Sequence, residues 1–393
     1  MTSYPTLRLR KNEERRLLAG HLWAFSNELV EIPKDIAPGT IVTLVRERDD
    51  APIGHAFYNP HSLIAARLLT QDVREVIDEG FFEQRIAQAA SRRKLLLQRR
   101  NAARLVHGES DFLPGLIVDR FGDILSYQIF SVGFEARKET IEAILKKLFQ
   151  PRSIVEKNNS NLRVLEGLPL EEKVVYGSET DARIHDAAGT RYAVDVLAGQ
   201  KTGFFLDQME NRTRIRDFIR PSDRVLDLFS NEGGFALNAA LAGAGSVIAV
   251  DASQGALDKL IANAELNGVR ERITTQTGDC FDFLQQSEDE FNLIILDPPA
   301  LAKSRKDIPN ARKAYLALNS NAMKRIRPGG ILVTASCSHH IPREMLLEIV
   351  REAGHKAHRA VTILEERGAG IDHPVLAAMP ETSYLKVFFL GIH

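Results

Sequence analysis

Cysteine is nearly absent from this chain. Only Cys280 and Cys337 occur in 393 residues, and neither belongs to a C-x-x-C pair or another metal-ligand spacing. Two thiols leave one disulfide open by count, but so few in a chain of this size read as cytoplasmic, with no metal site. Long apolar runs are missing as well. No stretch suffices to span a bilayer, and Met1-Thr2-Ser3-Tyr4-Pro5 passes into charged residues without an apolar signal core. Excess charge of either sign is the third absence. A formal net charge of −1 gives no bulk attraction to nucleic acid, so RNA binding has to come from local basic patches. What is present is 44% hydrophobic and 26% charged residues, enough for substantial cores and more than one domain.

Residues 1–72 read as a small β-rich unit. Runs at Thr40–Arg46, Ile53–Tyr58 and Leu63–Leu69 are punctuated by turns at Pro38-Gly39, Asp49-Asp50 and Asn59-Pro60, and Arg15–Ala19 fits a short helix. Arg8, Arg10, Lys11, Arg15 and Arg16 form either a phosphate-binding face or a solvated one with Glu13 and Glu14. From Asp72 to about Arg104 the pattern is helical, with Val73, Val76, Ile77, Ile86 and Ala89 at helical spacing. Arg85, Arg92, Arg93, Lys94, Arg99, Arg100 and Arg104 fall here with no acid among them. That run predicts part of an RNA-binding surface. Residues 73–178 continue as a helical linker and a small α+β domain that serves as a scaffold.

Residues 179–393 alternate strand and helix and predict a doubly wound α/β sheet. The runs Phe291–Leu296 and Gly330–Val333 read as strands buried on both faces. They lead into Asp297-Pro298-Pro299 and into Thr334-Ala335-Ser336-Cys337-Ser338, which sets a carboxylate and a thiol at the carboxyl ends of two strands, where open α/β sheets bind ligands. The first turn of this domain, Asp227 to Gly234, lacks G-x-G-x-x-G, which disfavours a pyrophosphate cofactor, while Gly233-Gly234 lets a ligand approach the backbone. Asp251 ends the second strand, where an acid can accept ribose hydroxyls. Asp279 ends the next unit, beside Cys280 and Phe281. A nucleoside without phosphates, bound across successive strand ends, suggests S-adenosylmethionine, although each Asp taken singly also suits a helix cap.

Several segments resemble ribosomal large-subunit RNA methyltransferase I and its relatives. They are Gly20–Phe25, His107–Gly115, Gly199–Gln208, Phe229–Phe235, Asp297-Pro298-Pro299, Ser336-Cys337-Ser338 and Pro380–Lys386. The resemblance covers nearly the whole chain. It implies an N-terminal PUA domain, a central α+β domain, a class I (Rossmann-like) methyltransferase domain, and formation of 5-methylcytosine in 23S rRNA, free or within a large-subunit assembly intermediate. It also implies a homodimer, which no stretch of the sequence demonstrates. The cofactor pocket it implies consists of Asp207, Phe229, Ser230, Gly233, Asp251, Asp279 and Asp297, and Cys280 either lines the adenine pocket or packs in the core.

The chemistry singles out two of these residues. C5 of cytosine is a poor nucleophile until something adds to C6, and a thiolate suits that covalent step. Cys337 is therefore the expected nucleophile, with Asp297 holding N3 and N4. His339 and His340 lie close by as less favoured bases. Two rival classes remain open: an exocyclic-amine methyltransferase acting on guanine N2 or adenine N6, which needs no cysteine, and a non-catalytic RNA-binding relative. The target base has to be flipped or single-stranded for both C5 and C6 to be reached.

Overall fold

The computed structural model describes residues 4–393, which gather into two compact units. One takes residues up to Ile184 together with Val194–Leu206 and Ile371–Thr382. The other takes His185–Ala193, Asp207–Gly370 and Ser383–His393.

Two five-stranded sheets build the first unit. The N-terminal one contains β1 (Thr6–Leu9), β2 (Trp23–Ala24), β3 (Ile41–Arg46), β4 (Pro52–Tyr58) and β5 (Ala66–Thr70), in the order β1-β3-β4-β5-β2. Its core includes Leu7, Leu9, Leu44, Ile53, Ala56, Tyr58 and Leu68. β5 starts at Ala66 rather than Leu63, whose side chain is exposed. The other sheet contains β6 (Ala102–His107), β7 (Leu116–Phe121), β8 (Ile124–Ile129), β9 (Ser153–Asn158) and β10 (Glu171–Tyr176), ordered β10-β9-β8-β7-β6. The helix Lys138–Phe149 packs Ile141, Ile144 and Leu145 into the same core.

Two expectations fail between residues 72 and 104. The helix covers only Glu79–Ser91. It opens where the Asp78 carboxylate accepts the Phe81 N–H, and by Ala102 the chain has entered β6. Val73 and Val76, which supplied the early helical spacing, are exposed. The seven cations do not form one RNA-binding surface either. Arg93, Arg100 and Arg104 are 2%, 1% and 9% exposed and pair with Asp111, Asp372 and Asp119. Arg92 reaches Asp111 and Arg85 reaches Glu75, which leaves Lys94 and Arg99 in solvent. These arginines hold the unit together. Asp372 also accepts the Arg104 backbone N–H at 2.9 Å, and Arg93 donates to the Asp372 carbonyl at 3.0 Å, so the segment Ile371–Thr382 is fastened beside β6. Removing a carboxylate from buried guanidinium groups costs about 3 kcal/mol or more. Asp372→Ala is therefore expected to lower the urea midpoint of unfolding by that equivalent, and a midpoint unchanged from wild type would show that the pairing contributes nothing net.

A hairpin of β11 (Asp181–His185) and β12 (Arg191–Asp195) leads to the seven-stranded sheet of the second unit. That sheet contains β13 (Arg224–Leu228), β14 (Ser246–Asp251), β15 (Ile273–Thr277), β16 (Phe291–Leu296), β17 (Ile326–Ser336), β18 (Val361–Arg367) and β19 (Lys386–Ile392), in the order β15-β14-β13-β16-β17-β19-β18. The first five are parallel, and β19 runs antiparallel to both β17 and β18. The two C-terminal strands and the helix Arg343–Ala357 were not among the expected elements. Leu226, Leu228, Val250, Ile294, Leu296 and Leu332 fill the core, as continuous apolar strands covered on both faces require. Strand order reverses between β13 and β16. A doubly wound sheet opens its ligand crevice at that point, outside the carboxyl ends of those strands.

Candidate active site

The carboxyl end of β13 turns sharply. Phe229 and Asn231 have φ of 61° and 48°, and Gly233 follows at 82°, a run of left-handed backbone that only the glycine adopts without strain. Hydrogen bonds hold the turn open over the sheet. Ser230 N–H donates to the Val250 carbonyl at 3.1 Å, and Asn231 N–H to Asp251 Oδ2 at 2.9 Å. A Cβ on Gly234 would lie 2.4 Å from Arg212 Nε, so the second glycine is needed for packing. Under the turn, Asp227 is fully buried. Its Oδ2 accepts the Ala236 N–H at 2.9 Å, while Oδ1 has no hydrogen-bond partner among the described residues. Burial pushes the Asp227 carboxyl up to about 8, and the charges of Asp297 and Asp251 push in the same direction. The Ser230 hydroxyl is likewise buried without a partner among the described residues. Carboxylates crowded at adjacent strand ends, with unsatisfied buried oxygens beside them, suit a cationic ligand that also carries donors.

The other expected pocket residues divide into three groups. Asp251 is half-buried, and besides Asn231 it accepts the Ser253 N–H at 2.9 Å. Asp279 is exposed and caps a helix, accepting N–H groups of Phe281 at 2.7 Å and Asp282 at 3.1 Å. Phe281 meets Phe229 edge-on, with ring centroids 6.1 Å apart. Cys280 lies in the core, where its sulfur accepts the Phe229 N–H and faces the Val250 carbonyl. Burial pushes this thiol up to about 12, which keeps it protonated and inert. Asp207 accepts the Tyr384 hydroxyl at 2.7 Å and gives its carbonyl to Gly370 N–H, fixing the start of the second unit against its last loop.

β16 and β17 lie side by side with Leu296 opposite Thr334, so Asp297 and Cys337 leave neighbouring strands in the same direction. The Tyr315 hydroxyl, buried beneath them, donates to Ser336 Oγ at 2.9 Å and lies 3.4 Å from Ser338 Oγ. Both serines thus point toward the helix Ile308–Arg325, and the half-buried Cys337 between them lies just past the end of β17. Burial raises the Tyr315 pKa, and the charges of Cys337 and Asp297 act in the same direction.

Four residues here escaped the sequence reading. Arg367 Nε, which can only donate, binds Asn211 Oδ1 at 2.8 Å. Asn211 must therefore present its amide N–H to Gln208 Oε1, at 2.7 Å, and Gln208 in turn donates to Asp297 Oδ1 at 3.0 Å. Gln208 holds Asp297 as an acceptor. The fourth residue is Lys386. It stands opposite Ser336 in the antiparallel register, and its ammonium donates to the carbonyls of Ser338 and Tyr384, both at 2.8 Å. Burial pulls Lys386 down to about 8, opposed by the charge of Cys337. Gln208 and Lys386 sit inside segments that the resemblance had singled out, but their partners follow only from the pairing of strands far apart in the chain. His339 faces Tyr384 with ring centroids 5.7 Å apart, and burial lowers its basicity, assisted by Lys386 and His340.

Comparison with known proteins adds to this geometry. A PUA-like domain family matches residues 7–71, and the TRM5/TYW2 methyltransferase domain family matches residues 183–315. Ribosomal RNA large subunit methyltransferase I from Klebsiella pneumoniae strain 342 is 35% identical over 392 residues, covering 98% of each chain. The protein of the same name from Yersinia pseudotuberculosis serotype O:1b is 36% identical over 387 residues, covering 97% of each. Two solved structures share the fold at 20% identity, each covering 98% of this chain and 100% of its own. One, described as a methyltransferase complexed with SAH, superposes with a TM-score of 0.85. The other, named as a SAM-dependent methyltransferase from Streptococcus mutans, gives 0.83.

Proposed function

Because this chain belongs to the ribosomal RNA large subunit methyltransferase I family, we propose that it methylates C5 of a cytosine in 23S rRNA through a covalent bond between Cys337 and C6. It is an rRNA methyltransferase with a PUA-like domain, and S-adenosylmethionine is its cofactor. In this reading residues 1–72 form the PUA-like RNA-binding domain, 73–178 the linker and central domain, and 179–393 the catalytic domain. The enzyme works in the cytoplasm on rRNA or a large-subunit assembly intermediate. No helix among the described residues is long and apolar enough to cross a membrane.

The observation that carries the C5 chemistry is a thiol, Cys337, just past the end of a strand that pairs in parallel with the strand leading into the carboxylate of Asp297, with Lys386 opposite Ser336 on the adjoining strand. Asp207, Asp251, Asp279, Phe229, Ser230 and Gly233 would hold the cofactor, with Asp227 under the turn, while Cys280 supports the turn from the core. When bound, S-adenosylmethionine supplies a methyl group made electrophilic by the positive charge on its sulfur. The Cys337 thiolate forms a bond to C6 of the target base and turns C5 into a nucleophile. Asp297 is assigned to N3 and N4, where a proton it shares with N3 meets the charge driven onto the ring. Once C5 carries the methyl group, its C5 proton passes to water, the C5–C6 double bond re-forms, the C6–S bond breaks to release the Cys337 thiolate, and the N3 proton returns to Asp297.

Lys386 enters as a positioning residue, since an ammonium beside a thiol favours the thiolate. With Lys386→Met, the pH midpoint for alkylation of Cys337 by iodoacetamide is expected to rise by about one unit, which is ~10-fold less thiolate at neutral pH. Lys386→Arg should keep the wild-type midpoint. An unshifted profile in Lys386→Met would remove the residue from the account.

The reading is tested by transferring label from S-adenosylmethionine to 23S rRNA and digesting the product to nucleosides. Label in 5-methylcytidine is the expected result. Label in a methylated guanosine or adenosine would mean that Asp297-Pro298-Pro299 serves an exocyclic amine instead.

A further inference from the structure

The stretch after Asp297-Pro298-Pro299 is rich in exposed cations. Lys303, Arg305, Lys306 and Lys313 are all exposed, and none forms an ion pair with a described residue. Elsewhere the surface cations commonly have partners, as Arg8 has Asp50, Arg74 has Asp72 and Arg152 has Asp123. The single acid in the stretch is already occupied: Asp307 accepts the Ser304 N–H at 2.8 Å and its hydroxyl at 2.9 Å. That reciprocal cap also fixes the loop. It leads into the helix Ile308–Arg325, which is anchored by buried Ala311, Tyr315 and Leu316. The cations are therefore presented from a supported backbone.

Their position ties them to the reaction. Ala302 N–H donates to Ser338 Oγ at 3.3 Å, so Lys303 begins one residue away from a contact with the neighbour of Cys337. At the far end of the loop, hydrogen bonds from Ser304 hold the Asp307 carboxyl below the usual carboxylate range. The start of the loop thus lies beside Ser338. We propose that Lys303, Arg305, Lys306 and Lys313 form the phosphate cradle that holds the rRNA backbone around the extruded target base. This rests on the rRNA reading given above and deepens it. A flipped nucleotide requires its flanking phosphates to be held while the base is out of the stack. A chain of net charge −1 can supply that attraction only from a local patch. The Arg85–Arg104 run cannot fill the role as a whole, because its arginines are largely committed to carboxylates.

The test is the salt dependence of RNA binding, measured by fluorescence anisotropy with a fragment of 23S rRNA and the full-length protein. In the triple variant Lys303→Ala, Arg305→Ala, Lys306→Ala the slope of log affinity against log salt is expected to fall by about 2, since each phosphate contact on a single strand contributes ~0.7. Affinity at low salt should drop about tenfold or more. The KM for RNA should rise about tenfold or more, and S-adenosylmethionine binding, which reports the fold, should be unchanged. The double variant Lys303→Arg, Lys306→Arg should preserve the wild-type slope. If the triple variant fails to bind S-adenosylmethionine, the exposed single variant Lys306→Glu takes its place, with a slope reduced by about 1 expected. A variant that binds RNA with the wild-type affinity and slope overturns the cradle alone. Wild-type protein that binds the rRNA fragment without salt dependence likewise overturns only the cradle, whereas wild-type protein that neither binds nor methylates it overturns the rRNA reading beneath.

Discussion

Cys337→Ala is expected to lower kcat for rRNA methylation by roughly 10³-fold or more, while S-adenosylmethionine binds as in wild type. Such a loss corresponds to about 4 kcal/mol of transition-state stabilisation, in keeping with the removal of a covalent nucleophile. Without the thiolate nothing adds to C6, and C5 keeps the low nucleophilicity of an intact aromatic ring. Cys337→Ser should fare little better, because a hydroxyl in this setting is a far weaker nucleophile than a thiolate. Cys280 cannot substitute. It is buried in the core, its thiol is raised to about 12, and it supports the Phe229 turn. The outcome is read by single-turnover methyl transfer beside a cofactor-binding measurement. A Cys337→Ala enzyme with wild-type kcat would transfer the assignment to an amine methyltransferase.

Asp297→Asn is the second substitution with a large expected effect, a fall in kcat of about 10²–10³-fold, the range of a lost proton-holding group. The polarity of the surrounding network explains why an isosteric amide fails. Arg367 fixes Asn211, Asn211 fixes Gln208, and Gln208 presents an N–H at 3.0 Å to position 297. An asparagine there must turn its oxygen toward Gln208, which leaves its NH2 facing the base. That group then meets the N4 amino group donor to donor, and it offers no charge to hold a proton at N3. Gln208→Leu, which frees the orientation, should partly relieve the Asp297→Asn defect. Equal defects in the double and single variants would show that the network does not set this polarity.

The strand ends that carry Asp297 and Cys337 were legible because Phe291–Leu296 and the run before Cys337 are continuous and apolar, the mark of parallel strands buried on both faces. Asp251 was legible for the same reason. Asp279 shows the limit of that logic. Its carboxylate caps a helix by accepting from Phe281 and Asp282, a role that any Asp at a strand-to-helix junction can take. The Arg85–Arg104 run misled because charge counted along a sequence does not reveal partners brought in by the fold. Asp111, Asp119 and Asp372 neutralise its buried members, and Asp372 lies far along the chain. Lys386 was hidden for a related reason. Its relation to Cys337 exists only because β19 pairs antiparallel with β17, an arrangement that depends on two strands absent from the expected elements.

The central claim is the bond between Cys337 and C6, and the most direct measurement is to trap it. An rRNA fragment with 5-fluorocytidine at cytidine positions cannot lose a proton from C5 after methylation, so the thiol cannot depart. Incubated with S-adenosylmethionine, the wild-type protein should gain the mass of the methylated RNA on a denaturing separation, with the attachment mapped to Cys337 and abolished in Cys337→Ala. No adduct despite active methylation of the unmodified fragment, or an adduct that survives in Cys337→Ala, would contradict the account.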